Sequence, residues 1–157
     1  IWLLGNNQSA RPLYTSDNPV VRRGHVKDVL DNWEIGFAAQ GLEVNFPLSA
    51  QYILITRERG HFAEQYEQLD GRVIELSSYE VLNCNRLQIA WSYRQIISSK
   101  RDFAEVKRMC RKYPALCDPD RQTLGTRFGP LYRPDGTVSE VYHMYEIAPD
   151  IEFLDVS

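Results

Sequence analysis

The amino-acid sequence predicts an α+β fold: a mixed, mainly antiparallel sheet packed against one long buried helix, with a second, basic helix flanking it. Three observations predict it. Short apolar runs bounded by Gly, Asn, Asp and Pro recur through the first half and again near the carboxy end, as strands do. A stretch free of Gly and Pro opens at a capping-box spacing, Ser77 to Glu80, and runs to Ile97. Another, 102–113, is apolar on one side and basic on the other.

In chain order, Ile1 to Leu4 and Leu13 to Thr15 read as short strands joined by a polar turn, most simply as a hairpin. Ser16-Asp17-Asn18-Pro19 is a dense turn signal, because Asp and Asn bond their own backbone and Pro19 biases Asn18 away from helix. From Val20 to Gly41 neither period lasts, which predicts a loop with a short strand near Ile35 to Ala38. Leu42 to Leu48 and Tyr52 to Thr56 read as strands, with Pro47 at an edge or bend and Tyr-Ile-Leu-Ile suggesting burial on both faces. Residues 60–71 look like a polar surface excursion and Arg72 to Leu76 like one more strand.

The helix predicted over 78–97 carries Leu82, Ile89, Tyr93, Ile96 and Ile97, with Val81, Leu87 and Trp91 off that stripe, so it is apolar on more than one side. The next helix takes Asp102 as its cap, buries Phe103, Val106, Met109 and Cys110, and stops before Pro114. The punctuation of 114–129 reads as irregular chain, Arg133-Pro134-Asp135-Gly136 as a hairpin turn, and the alternation from Val141 to Ile147 as a strand, with Ile151 to Val156 adding a last one. No linker or repeat divides the chain, so one domain over 1–157 is expected.

A formal charge of −3 and pI near 5.6 argue against a domain held on nucleic acid by phosphate neutralisation alone, though not against a local basic groove. The apolar runs are too short for a membrane span or a signal-peptide core, which points to a cytoplasmic setting and no membrane. Cys84, Cys110 and Cys117 form no Cys-x-x-Cys pair and read as reduced thiols, with a Cys110–Cys117 bridge as the alternative. His25, His61 and His143 lack metal-ligand spacing and no phosphate or dinucleotide loop occurs, so neither metal nor cofactor is expected. Cys84 as a nucleophile competes with the plainer reading of a small buried thiol.

Four segments together resemble an uncharacterised microbial family, domain of unknown function 4238: Thr15-Ser16-Asp17-Asn18-Pro19-Val20, Phe46-Pro47-Leu48-Ser49, the run Tyr52 to Ile55, and the helix carrying Asn85 with its Ser98-Ser99 exit. The resemblance covers about Trp2 to Ser99. Members of that family begin with a Gln-His-Tyr-Val-Pro segment and a helical stretch, so the resemblance implies that this chain is the carboxy-terminal portion of a longer protein. It implies no reaction.

Candidate site residues therefore come from the chain's own chemistry. Asp17 and Asn18 sit at a tight turn, where a rigid element can hold polar groups at a sheet rim; the plainer reading is an Asp that bonds its own turn. Asn85, Gln88 and Ser92 project along one side of an apolar helix, and such buried amides either bond a neighbouring strand's backbone or line a wet pocket. One reading sets Asp17 as the catalytic acid, with Asn18, Asn85, Gln88 and Arg94 binding a ligand, Arg94 as its anion anchor, in a hydrolase-like or ligand-binding domain. The other is a non-catalytic interaction module in which Arg101, Lys107, Arg108 and Arg111 of the basic 101–112 helix meet an acidic partner or nucleic acid. Asp102 and Glu105, interleaved with these cations, make a solvated face the plainer account.

Overall fold

The computed structural model describes residues 1–26, 39–118, 120–121, 124–133 and 136–146. Its main sheet has five strands, β1 (Trp2–Asn7), β3 (Val21–Gly24), β4 (Leu42–Pro47), β5 (Tyr52–Arg57) and β6 (Arg72–Leu76), in the order β3-β4-β5-β1-β6. Only the β1–β6 pair is parallel, so the sheet is mixed and mainly antiparallel and the fold is α+β. Two short strands, β2 (Thr15–Ser16) and β7 (Ile96–Ile97), pair separately, and β8 (Leu124–Tyr132) with β9 (Val138–Glu146) forms a hairpin.

The expected hairpin between Ile1–Leu4 and Leu13–Thr15 does not form. β1 lies between β5 and β6, with Leu4 opposite Leu54 and Val73, while Thr15 pairs with Ile97. The reason lies in the burial alternation of β1: Leu3, Gly5 and Asn7 are buried and Leu4 and Asn6 half-buried, which suits an internal strand better than a two-stranded ribbon. Val21–Gly24, expected as loop, pairs with β4. The Tyr52–Ile55 run is buried on one face alone, since Tyr52 is exposed and Leu54 half-buried. The strands expected near Ile35–Ala38 and Ile151–Val156 lie outside the described residues.

Residues 60–71 are not an unstructured excursion. Helix α1 (Arg59–Tyr66) starts where the Glu58 carboxylate accepts from the amides of Gly60 and His61, buries Phe62, and continues into a 3₁₀ turn, Glu67–Leu69. Gly60 and the polar letters around it hid that helix from its pattern. Helix α2 (Ser78–Trp91) opens on the expected capping box, Ser77 with Glu80, but ends at Trp91 and not at 97, because Ser92 turns to extended backbone and Ile96–Ile97 pairs with β2. Helix α3 (Ala104–Lys112) follows, the Asp102 carboxylate accepting from the Ala104 amide at 3.0 Å, and a 3₁₀ turn, Pro114–Cys117, closes it. Cys110 and Cys117 are joined as a disulfide, Cα atoms 5.6 Å apart, which corrects the expectation of reduced thiols: the turn after Tyr113 folds the second cysteine back onto α3.

The core lies between one face of the sheet and α2. Leu3, Ile53, Ile55 and Leu76 meet Val81 and Cys84, with Phe62 from α1. A second cluster, Tyr14, Ile89 and Met109, seats α3 against the far side of α2 and is joined by Ile96, Val106, Tyr113 and Leu116. Among the described residues, no helix is long and apolar enough to cross a membrane.

Side chains of the neighbouring strands β5 and β6 leave Gly5 of β1 no room for a side chain: a Cβ there would stand 2.8 Å from Ile53 Cγ2 and 2.9 Å from Leu76 Cδ1. Gly5→Ala is therefore expected to cost about 1–3 kcal/mol by overpacking. A urea midpoint equal to wild type, at unchanged slope, would refute that.

Candidate functional site

The candidate residues are brought together where α2 packs along the chain from Pro12 to Pro19. Asn85, fully buried, accepts the Tyr14 amide at 2.7 Å and donates to the Pro12 carbonyl at 2.9 Å. One turn on, Gln88 accepts from the Ser16 hydroxyl and donates to the Pro19 carbonyl, both at 2.8 Å. Each side-chain amide thus spends its oxygen and its nitrogen on the passing segment, the backbone-bonding outcome for a polar row on an apolar helix.

Asp17 completes the seam at the end of α2. One carboxylate oxygen accepts the Tyr93 amide at 2.9 Å and the other the Arg94 amide at 2.8 Å. Asn18 donates its side-chain amide to the Trp91 carbonyl at 3.2 Å, and the Asp17 amide reaches the Gln95 carbonyl. Ser92, the third member of the row, is buried and turns its hydroxyl back to the Ile89 carbonyl. Arg94 is exposed.

Sequence reasoning missed Arg121. Its guanidinium donates through Nη2 to the Ser92 carbonyl, while Nη1 is buried with no hydrogen-bond partner among the described residues. Burial lowers this guanidinium's proton affinity and the Asp17 charge acts the other way. Nothing in the letters around 121 marks it, since the contact joins the end of α2 to a residue well beyond α3.

It also missed a buried charged centre on strands β4 and β5. Glu43, its side chain 7% exposed, accepts from Arg57 Nε at 2.7 Å and from the Asn45 amide at 2.9 Å, with His25 Nε2 at 3.6 Å. The Arg57 guanidinium lies 3.9 Å from the Tyr66 ring centre and 5.3 Å from that of Phe62. Burial alone would raise the Glu43 carboxyl, but the His25 contact, the Arg57 charge and the Asn45 amide more than offset it and hold the group at about 2. Beside it, burial and then the Glu43 charge push the Cys84 thiol up to about 12, which leaves it protonated and a poor nucleophile.

On α3 the basic face is partly spent within the chain. Arg108 donates twice to Glu105, and Arg86 reaches the same carboxylate at 2.8 Å. Lys100 donates to the Ala10 carbonyl. Arg101, Lys107 and Arg111 point from exposed positions.

Residues 1–102 match the model of a family described as Protein of unknown function (DUF4238). No curated protein and no solved structure matches the chain.

Two outcomes test this geometry. Asn85→Leu strands the Tyr14 amide and the Pro12 carbonyl, each unmet group costing about 1–3 kcal/mol, so a loss above about 2 kcal/mol in chemical denaturation is expected. A near-neutral result would mean that water replaces the amide. For Glu43, the folded carboxyl lies below its ordinary value of 4.5, so its stabilisation is complete above that pH and is lost as pH falls toward about 2. Glu43→Gln should cost about 3–5 kcal/mol at neutral pH and much less at about pH 2. A penalty independent of pH would show that the ion pair is not its source.

Proposed function

This chain belongs to the DUF4238 family of proteins of unknown function, and on that premise we propose that it is a ligand-binding domain. The site lies where the Asp17 turn meets the end of α2, and it takes a small ligand through a carboxylate or phosphate. The observation that carries the reading is the Arg121 guanidinium, anchored at Ser92 through one nitrogen and left with a buried Nη1 that meets no hydrogen-bond partner among the described residues. Such a vacancy costs about 1–3 kcal/mol, which an oxyanion would recover. Arg94 stands on the same exit loop. Two guanidinium charges against the Asp17 carboxylate and about half a negative charge at the helix end leave a small positive excess.

In this proposal Asp17, Asn18, Asn85 and Gln88 position the site without touching the ligand. The hydrolase-like form has less support, because both Asp17 oxygens bond backbone amides that follow α2, which is the work of a carboxylate that holds the chain in place. The interaction module has less support too, since Glu105 draws Arg108 away from any partner. A cytoplasmic setting belongs to the proposal as well.

The test is titration of the ¹⁵N-labelled chain with inorganic pyrophosphate and with citrate. The Tyr93 and Arg94 amides should shift, and Arg121→Gln should weaken binding about tenfold, the worth of one charged hydrogen bond. If those amides stay put at ~10 mM of either ligand, where a millimolar site is filled, the proposal fails.

A further inference from the structure

The Cys110–Cys117 disulfide lies next to the chain that delivers Arg121. It ties the last turn of α3 to the 3₁₀ turn Pro114–Cys117, whose Leu116 packs with Met109, Tyr14 and Ile89. Among the described residues no side chain caps that turn, and the Leu116 amide to Tyr113 carbonyl bond at 3.0 Å and the Asp118 amide to Ala115 carbonyl bond at 3.3 Å close its main chain. Immediately beyond, the Arg121 amide donates to the Asp118 carbonyl at 3.2 Å and the guanidinium reaches Ser92. The position of Arg121 is thus set from both sides, by the clipped turn behind it and by the end of α2 ahead.

We propose that this disulfide is a redox switch on the Arg121 site: oxidised, it holds Arg121 at Ser92; reduced, it frees the Pro114–Cys117 turn, loosens Arg121 from Ser92 and weakens the site's hold on an oxyanion. The inference rests on the ligand-binding reading for its consequence, though not for its structural step. Cys117 is exposed and Cys110 half-buried, so a reductant meets Cys117 first. A thiolate of a dithiol reductant attacks the Cys117 sulfur, the S–S bond breaks, and Cys110 leaves as a thiolate that takes a proton. The reductant's second thiol then displaces Cys117 from the mixed disulfide. Two electrons pass from the dithiol, which ends as a cyclic disulfide, and the chain ends with two thiols. Cys84, buried against the sheet on the other side of α2's core, stays out of the exchange. Disulfides in a reducing compartment are mostly transient or redox-sensing, and a bridge between an exposed and a half-buried cysteine over a short loop fits that use.

The experiment compares the oxidised chain, the same chain in dithiothreitol, and the chain after reoxidation, recording the ¹⁵N resonances of Arg121, Tyr93 and Arg94 and the affinity for pyrophosphate. Reduction should move the Arg121 resonances and weaken pyrophosphate by at least about fivefold, the low end of an allosteric coupling, and reoxidation should restore both. The double variant Cys110→Ser, Cys117→Ser should behave as the reduced form whether or not reductant is present; if it fails to fold, the cycle on the unmodified chain decides alone. Identical Arg121, Tyr93 and Arg94 resonances in both redox states would overturn the switch. Resonances that move while pyrophosphate binds in neither state would uphold the coupling and sink the ligand-binding reading instead.

Discussion

The hydrogen bonds between the Asn85 and Gln88 side chains and the Pro12–Pro19 segment, three to its main chain and one to the Ser16 hydroxyl, are what the arrangement around α2 depends on. That segment is buried at Pro12, Leu13, Tyr14 and Ser16, yet among the described residues its strand pairing is limited to the two-residue β2–β7 contact. Buried peptide groups with no ladder must find partners elsewhere. A primary amide presents one acceptor and two donors, much as a strand edge does, so two of them one helical turn apart let α2 serve as a neighbouring strand. Both NH₂ groups go to proline carbonyls, at Pro12 and Pro19, and the prolines themselves bring no N–H that would need satisfying.

The charged centre at Glu43 solves a different problem. Glu43 stands opposite Arg57 on β5 and Arg23 on β3, so its carboxylate is met only in one register. A slip of one residue would send Glu43 to the outer face and a neighbour inward, exchanging a satisfied charge for an unsatisfied one. An ion pair at this depth is a weak source of net stability, and its retention here is better explained by the register it specifies. Of the two polar sets, one fixes the register of β3, β4 and β5, and the other fixes a segment outside the main sheet.

Much of the architecture was legible in the letters. β4, β5, β6, the start of α2 and the body of α3 follow from periodicity and caps, because in each the local preference and the tertiary demand agree. The errors fall where they disagree. Gly60 and a polar surface concealed α1, whose sole buried side chain is Phe62. β1 was matched to its nearest neighbour in sequence, whereas its partners β5 and β6 lie more than forty residues away in the register of Leu4 with Leu54 and Val73. Of the site, only that the α2 amide row must face something polar could be anticipated; its partners are Pro12, Tyr14, Ser16 and Pro19, while Asp17 and Asn18 bond residues at the end of α2. Arg121 and the Glu43–Arg57 pair could not, because no spacing in the chain announces contacts between residues that only folding makes neighbours.

The early end of α2 shows how a local preference is outbid. Continued as a helix, the Tyr93 and Arg94 amides would donate to the carbonyls of Ile89 and Ala90, and the apolar Ile96 and Ile97 would complete another turn. Four features act against that. Asp17 offers each amide an anionic acceptor, stronger than a neutral carbonyl; Asn18 bonds the Trp91 carbonyl; Ser92 satisfies Ile89 through its hydroxyl; and Ile96–Ile97 gains strand pairing with Thr15–Ser16. Because the helix stops there, the Ser92 carbonyl is left at a helix end without an intrahelical donor, and it is this orphan that Arg121 caps. The same competition that shortens α2 therefore creates the place where the second guanidinium docks.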